Sequence, residues 1–211
     1  AEVSRLLAFE LRQADALSPI RYLAADTSAA MPAPGPDLVF STAFAQPISR
    51  RYQLGPMGRG WAHNWQLSLT TAADGTVKIT DMTGTPRIFQ PDKRHAGEYL
   101  GAPGDSGSLT ALSGGALKLV EKDGSAYVFH STGSLDYVQD TNGNRITCSY
   151  TGSLLTGLTH SSGQLLAIGY NGAGRITSVT DSDGREARYT YDASNEPLLS
   201  VRDYDGRLTS Y

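Results

Sequence analysis

YNGAGRITSVTDSDGREARYTYD, residues 170–192, holds glycine turns and two runs of strand length between Tyr170-Asn171 and Tyr191-Asp192. Glycine accepts a positive φ without a Cβ clash, so Asp183-Gly184 suits a tight turn whose twist matches a hairpin. The same grammar continues on both sides. Gly143, Gly163, Gly184 and Gly206 lie 20, 21 and 22 residues apart, and the first three are followed seven residues later by Tyr150, Tyr170 and Tyr191. One small β unit is therefore used repeatedly, because a lone hairpin cannot bury its own apolar face and must stack on neighbours.

The units read VQDTNGNRITCSYTGSLLTGLT (138–159), HSSGQLLAIGYNGAGRITSVT (160–180), DSDGREARYTYDASNEPLLSVR (181–202) and the shorter DYDGRLTSY (203–211). Each complete unit predicts strand, turn, strand, turn: an antiparallel meander that extends one sheet. In REARYTY, Ala187, Tyr189 and Tyr191 fall on one face and Glu186, Arg188 and Thr190 on the other, as in a sheet with a dry and a wet side. Ile176 and Val179 are three apart and cannot share a face of an ideal strand. A bulge, or a strand that ends before Val179, is expected between them. Tyr150, Tyr170, Tyr191 and Tyr211 are read as aromatics packed between successive turns of sheet, with a stacking platform for sugar or nucleic acid as the functional alternative.

These units resemble the YD repeat of the RHS family, whose relatives include the animal teneurins and the bacterial toxin-complex C components. The likeness rests on DTNGNRITCSY, YNGAGRITSVTDSDGREARYTYD and VRDYDGRLTSY. Tyr191-Asp192 and Tyr170-Asn171 carry the eponymous dipeptide or its amide variant. Tyr150-Thr151 departs from it, and His160 stands where neighbouring units have Asp140, Asp181 and Asp203. Upstream, DLVFSTAFAQPISRRYQLGPMGRGWAHNWQLSLT resembles the segment that opens the RHS shell in bacterial proteins, so the likeness spans 38–211. It implies an all-β fold of repeated hairpins in a curled or spiralling sheet, the start of a hollow shell, preceded by a short N-terminal helix or arm. It further implies a non-enzymatic scaffold of a large secreted or surface protein that encloses or presents a C-terminal effector. An adhesion module that binds a glycan or a surface protein through exposed aromatics or a free sheet edge is the alternative. The self-cleaving aspartates of some members belong to a core motif that this sequence lacks.

Composition fits many short strands joined by tight turns: 211 residues, 23 of them glycine, with 18% charged. A net charge of −3 provides no basic field for nucleic acid or anionic membrane. No run approaches the roughly 18 apolar residues of a spanning helix. A single cysteine, Cys148, excludes an internal disulfide framework and reads as a small buried hydrophobe. No signal peptide is legible, and the low cysteine use fits bacterial export and the cytoplasm alike. The sequence ends inside a unit, so further repeats and a C-terminal domain of a parent chain are the expected partners. An unpaired last strand invites a homodimer through that edge.

Three regions follow: 1–37, an arm and linker; 38–137, an opening β region; 138–211, the repeats. In SRLLAFELRQADAL (4–17), Leu7, Leu11 and Ala14 have helical spacing and Ser4 can cap; the alternation of Phe9 and Leu11 also permits a strand, and helix is preferred. AADTSAAMPAPGPD (24–37) lacks periodicity and reads as a linker or an arm laid over the domain, with strands starting at Leu38. QPISRRYQLGPMGRG (46–60) reads as a long ordered loop. Trp61 and Trp65 are expected to plug the open end of the curled sheet, and a sugar platform is the functional alternative for Trp61.

His63, His95, His130 and His160 are scattered, with no HExxH, no Cys-x-x-Cys, no nucleophile elbow and no P-loop. No catalytic residue, metal site or cofactor is therefore assigned. His95 and His160 lie beside turns and are expected to face solvent. The acidic turns Asp140/Asn142, Asp181/Asp183 and Asp203/Asp205 resemble the first half of a calcium loop but lack its distal bidentate glutamate, and turn capping accounts for them. Arg50, Arg51 and Arg59, near His63, are read as pins that hold the loop by hydrogen bonds to carbonyls and carboxylates.

Overall fold

The computed structural model describes residues 22–211, which are almost entirely β. The helix expected within 4–17 lies outside the described residues. The chain runs through β1 (Tyr22–Met31), β2 (Leu38–Ala45), a helical turn α1 (Ile48–Arg51), the arms of a small hairpin, β3 (Leu54–Gly55) and β4 (Gly58–Arg59), and β5 (Trp61–His63). β1, β2 and β5 form a three-stranded antiparallel sheet in the order β1-β2-β5.

Most of the stretch expected as a linker is thus strand β1. Its alanine, serine and threonine residues carry little strand signal alone. Pairing with β2 from Tyr22–Ala45 to Met31–Leu38 makes the strand, and Ser28, Ala29 and Met31 are buried on it. The loop expected over 46–60 likewise contains α1 and the β3–β4 hairpin.

The second sheet has fifteen strands in sequence order. Its first half is β6 (Ser68–Thr71), β7 (Val77–Thr80), β8 (Pro86–Pro91), β9 (Glu98–Gly101), β10 (Ser108–Ala111), β11 (Leu117–Val120) and β12 (Ala126–Phe129). It continues through β13 (Leu135–Gln139), β14 (Arg145–Thr151), β15 (Leu154–His160), β16 (Leu165–Tyr170), β17 (Ile176–Asp181), β18 (Glu186–Tyr191), β19 (Leu198–Arg202) and β20 (Leu208–Ser210). Every neighbour pair is antiparallel, as the repeat grammar requires of a meander. Period-2 patterning supplies one dry face: Val77 and Ile79 are buried while Lys78 is exposed, and Ala187 and Tyr189 are buried while Arg188 is exposed.

The bulge expected after Ile176 is present. Gly169 pairs with Ser178 and Tyr170 with Ile176, leaving Thr177 as the extra residue, so Ile176 and Val179 both reach the core. The registers place the same extra residue at Asp136 in β13, Thr156 in β15 and Leu199 in β19. These bulges fall at one position of successive hairpins.

The strands do not close into a barrel, since β6 and β20 are the sheet's two edges. β6 nevertheless meets the sheet a second time. Leu69 N–H donates to the Gly133 carbonyl at 2.8 Å, and Ser68 forms an isolated antiparallel bridge with Ser134. The three-stranded sheet packs on the dry face of the repeats. Phe40 meets Tyr189 edge-on with ring centres 6.4 Å apart, the Ser28 and Tyr189 hydroxyls are hydrogen-bonded, and Tyr204 N–H donates to the Ser28 carbonyl at 3.3 Å.

Candidate functional site

A bulge interrupts the ladder beside the residue that precedes it, and a tyrosine from the next hairpin serves that residue's carbonyl. Tyr150 Oη donates to Leu135 O at 2.9 Å, Tyr170 Oη to Leu155 O at 2.9 Å and Tyr191 Oη to Ile176 O at 2.7 Å, each across 15 residues. Burial pushes these phenols above their ordinary range, Tyr170 to about 12, so they remain protonated donors. The repeat tyrosines are therefore both packing rings and hydrogen-bonding groups. Tyr211 sits differently. It follows Gly206 by five residues, the spacing of Tyr189 from Gly184, and its ring lies 4.5 Å from that of Trp61.

The glycines Gly143, Gly163, Gly184 and Gly206 all have positive φ, as turn residues should. The aspartates preceding them cap those turns. Asp140 Oδ1 accepts from the N–H groups of Asn142 and Asn144, and Asp181 Oδ1 from those of Asp183 and Arg185. Asp203 does the same for Arg207. His160, expected at the surface, is buried at 1% exposure because it replaces an aspartate in this role: its Nδ1 accepts from Ser162 N–H at 3.0 Å. His95 is exposed as expected and pairs with Asp92 at 3.1 Å.

The turns before β13, β15, β17 and β19 share one rim of the repeat sheet. The β3–β4 hairpin lies along it, with Pro56 O accepting from Ile176 N–H at 2.8 Å and Arg59 N–H donating to Glu196 O at 2.7 Å. Arg59 also forms an ion pair with Glu196 and donates to Tyr52 O at 2.7 Å, while Arg51 donates to Gln46 O through Nε at 3.0 Å. Both arginines pin the loop. Arg50 packs its guanidinium on the Gly84 turn.

Between this hairpin and β6 is a cavity of about 660 Å³, lined by Trp65, Tyr150, Leu155, Tyr170 and Arg175 among others. Two further lining residues carry side-chain atoms with no hydrogen-bond partner among the described residues, His63 Nδ1 and Gln66 Oε1. His63 is stacked on Phe40 at 5.1 Å, and burial lowers its pKa to about 4, so it is neutral at physiological pH. Trp61 is buried between Phe44 and Tyr211, whereas Trp65 is half-buried and donates Nε1–H to Val39 O at 2.7 Å. The two tryptophans thus belong to the seam between the sheets, and only Trp65 lines this cavity.

Sequence reading singled out the tyrosines and tryptophans but not the cavity, because its walls come from residues far apart in the chain. It also passed over Asp92, His95 and Glu98, whose possible ligand atoms lie within 4.8 Å of one another. The three-residue spacing was the available signal. Asp92 is already taken by Arg94, at 3.0 and 3.1 Å, and by His95.

Residues 170–203 match the RHS Repeat family model. No curated protein matches the chain. The matched stretch includes the Tyr191–Ile176 bond, the bulge at Thr177 and the caps on Asp181 and Asp192. An extensive antiparallel sheet built from repeated hairpins is consistent with an RHS/YD-repeat-like region.

Proposed function

We propose that this chain is a non-enzymatic scaffold, the first turns of an RHS/YD-type β shell in a large secreted or surface protein that encloses or presents a C-terminal effector. The observation that carries this reading is the bond between Leu69 and Gly133. Strands β6 and β13 are seven places apart in the sheet, which in a flat sheet separates them by roughly 33 Å. A hydrogen bond between them requires the sheet to curve round upon itself. The dry face then lies inside the curve, and the three-stranded sheet packs against it. The match of 170–203 to the RHS Repeat supports the same architecture. Further repeats would continue the sheet from β20, and the exposed edge of that strand is where a second copy would pair in their absence.

Small-angle scattering of the chain tests the curvature, because fifteen strands laid flat extend about 70 Å across the sheet. A clearly smaller maximum dimension supports a curled wall, and the full flat span rejects it. Enclosure is tested by joining further repeats and a C-terminal domain to the chain and adding protease. A shell protects that domain until the sheet is unfolded, whereas an adhesion module leaves it open to cleavage.

A further inference from the structure

Four consecutive hairpin turns follow one another along the rim that faces the β3–β4 hairpin, and three are met by extended main chain. The turn before β13 receives Leu69 of β6, the turn before β17 receives Pro56, and the turn before β19 receives Arg59. The turn between β14 and β15, at Gly152 and Ser153, lies between the first two of these and has no main-chain bond of this kind among the described residues. The 660 Å³ cavity opens there, within the range of about 300–1,000 Å³ typical of ligand pockets.

We propose that this gap is a docking site for an extended peptide with alternating apolar side chains, supplied by a separate polypeptide. Such a segment continues along the rim the interface that residues 56–59 and 69 already make with the neighbouring turns. Its N–H groups find acceptors in Gln66 Oε1 and the neutral imidazole of His63, both without partners on the cavity wall. Its apolar side chains face Trp65, Tyr150 and Leu155. Leu54 and Leu154, at 44% and 36% exposure, stand among the lining residues as apolar surface that such a peptide covers. The cation of the cavity, Arg175, already directs Nε to Asn195 O at 2.9 Å, so the site favours an uncharged segment. This proposal does not depend on the shell reading, since the gap lies at the rim whatever the repeats enclose.

The test is a titration of the chain with a blocked, fluorescently labelled peptide of alternating valine and serine, followed by anisotropy and by tryptophan emission. Saturable binding is expected, weakened by about tenfold or more by Leu154→Glu and unchanged by Leu199→Glu, an exposed leucine outside the cavity. Ser153→Arg, at the exposed turn, gives the same loss if Leu154→Glu fails to fold. Binding that does not saturate, or that survives both cavity variants, overturns the proposal. So does a tryptophan response to simple sugars with none to the peptide, which assigns the cavity to a glycan.

Discussion

The phenol of Tyr170 donates to the carbonyl of Leu155 at 2.9 Å, beside the bulge that Thr156 makes in β15. The bulge lets Leu155 and Leu158 both reach the core, but it breaks the ladder, and the tyrosine mends that break from two strands away. Tyr170→Phe keeps the ring and removes only the donor. It is expected to destabilise the chain by about 1–2 kcal/mol, the consequence of an unpaired carbonyl in a half-buried setting. Urea denaturation measures this, and an unchanged midpoint would deny the hydroxyl a structural role.

Gly133 and Gly163 have similar backbones, with φ of 88° and 96°. A Cβ at Gly133 collides with the Leu69 carbonyl, whereas one at Gly163 meets nothing within 4 Å. Gly163→Ala should lose only the left-handed strain of about 1–2 kcal/mol. Gly133→Ala should lose more and should raise hydrogen exchange at Leu69 selectively. Equal melting losses for the two variants would mean that β6 does not press on this turn in solution.

The His63 imidazole is held neutral, with its pKa lowered from 6.5 to about 4 by burial. A group depressed in the folded state binds protons in the unfolded chain first, so its contribution to stability is complete above pH 6.5. That contribution falls as the pH drops towards 4, by up to about 3 kcal/mol. His63→Phe should flatten this part of the pH profile. Stability curves of the two proteins that stay parallel between pH 7 and pH 4 would exclude His63 as the cause.

Asp181 is buried, with one oxygen taken by two N–H groups and the other by Arg185 Nε at 2.7 Å. Asp181→Ala should therefore destabilise the turn by about 1–2 kcal/mol, in the manner of a lost cap. Calcium has no free carboxylate to bind there. Melting temperatures in calcium and in chelator should coincide, and a rise with calcium would restore the metal reading of these turns.

Ile176 and Val179 show how far the sequence was legible. Two apolar residues three apart in a strand leave a bulge as one of few solutions, and glycine spacing located the turns, because both are local constraints. His160 was misread since a histidine beside a turn usually faces water; only its alignment with Asp140 and Asp181 hinted that Nδ1 could replace a carboxylate as the acceptor. β1 was missed because Ala24, Ala25, Ala29 and Ala30 specify a strand only when β2 lies beside them. The cavity was beyond reach for the same reason: Gln66, Tyr150 and Arg175 meet through the path of the whole sheet.

Each tyrosine bond reaches only to the preceding hairpin. A unit thus carries the donor for the one before it and offers the acceptor for the one after, and nothing in that exchange refers to position along the sheet. Whole units can be duplicated or deleted with every junction still satisfied, so the length of such a wall can drift over generations without passing through a broken intermediate.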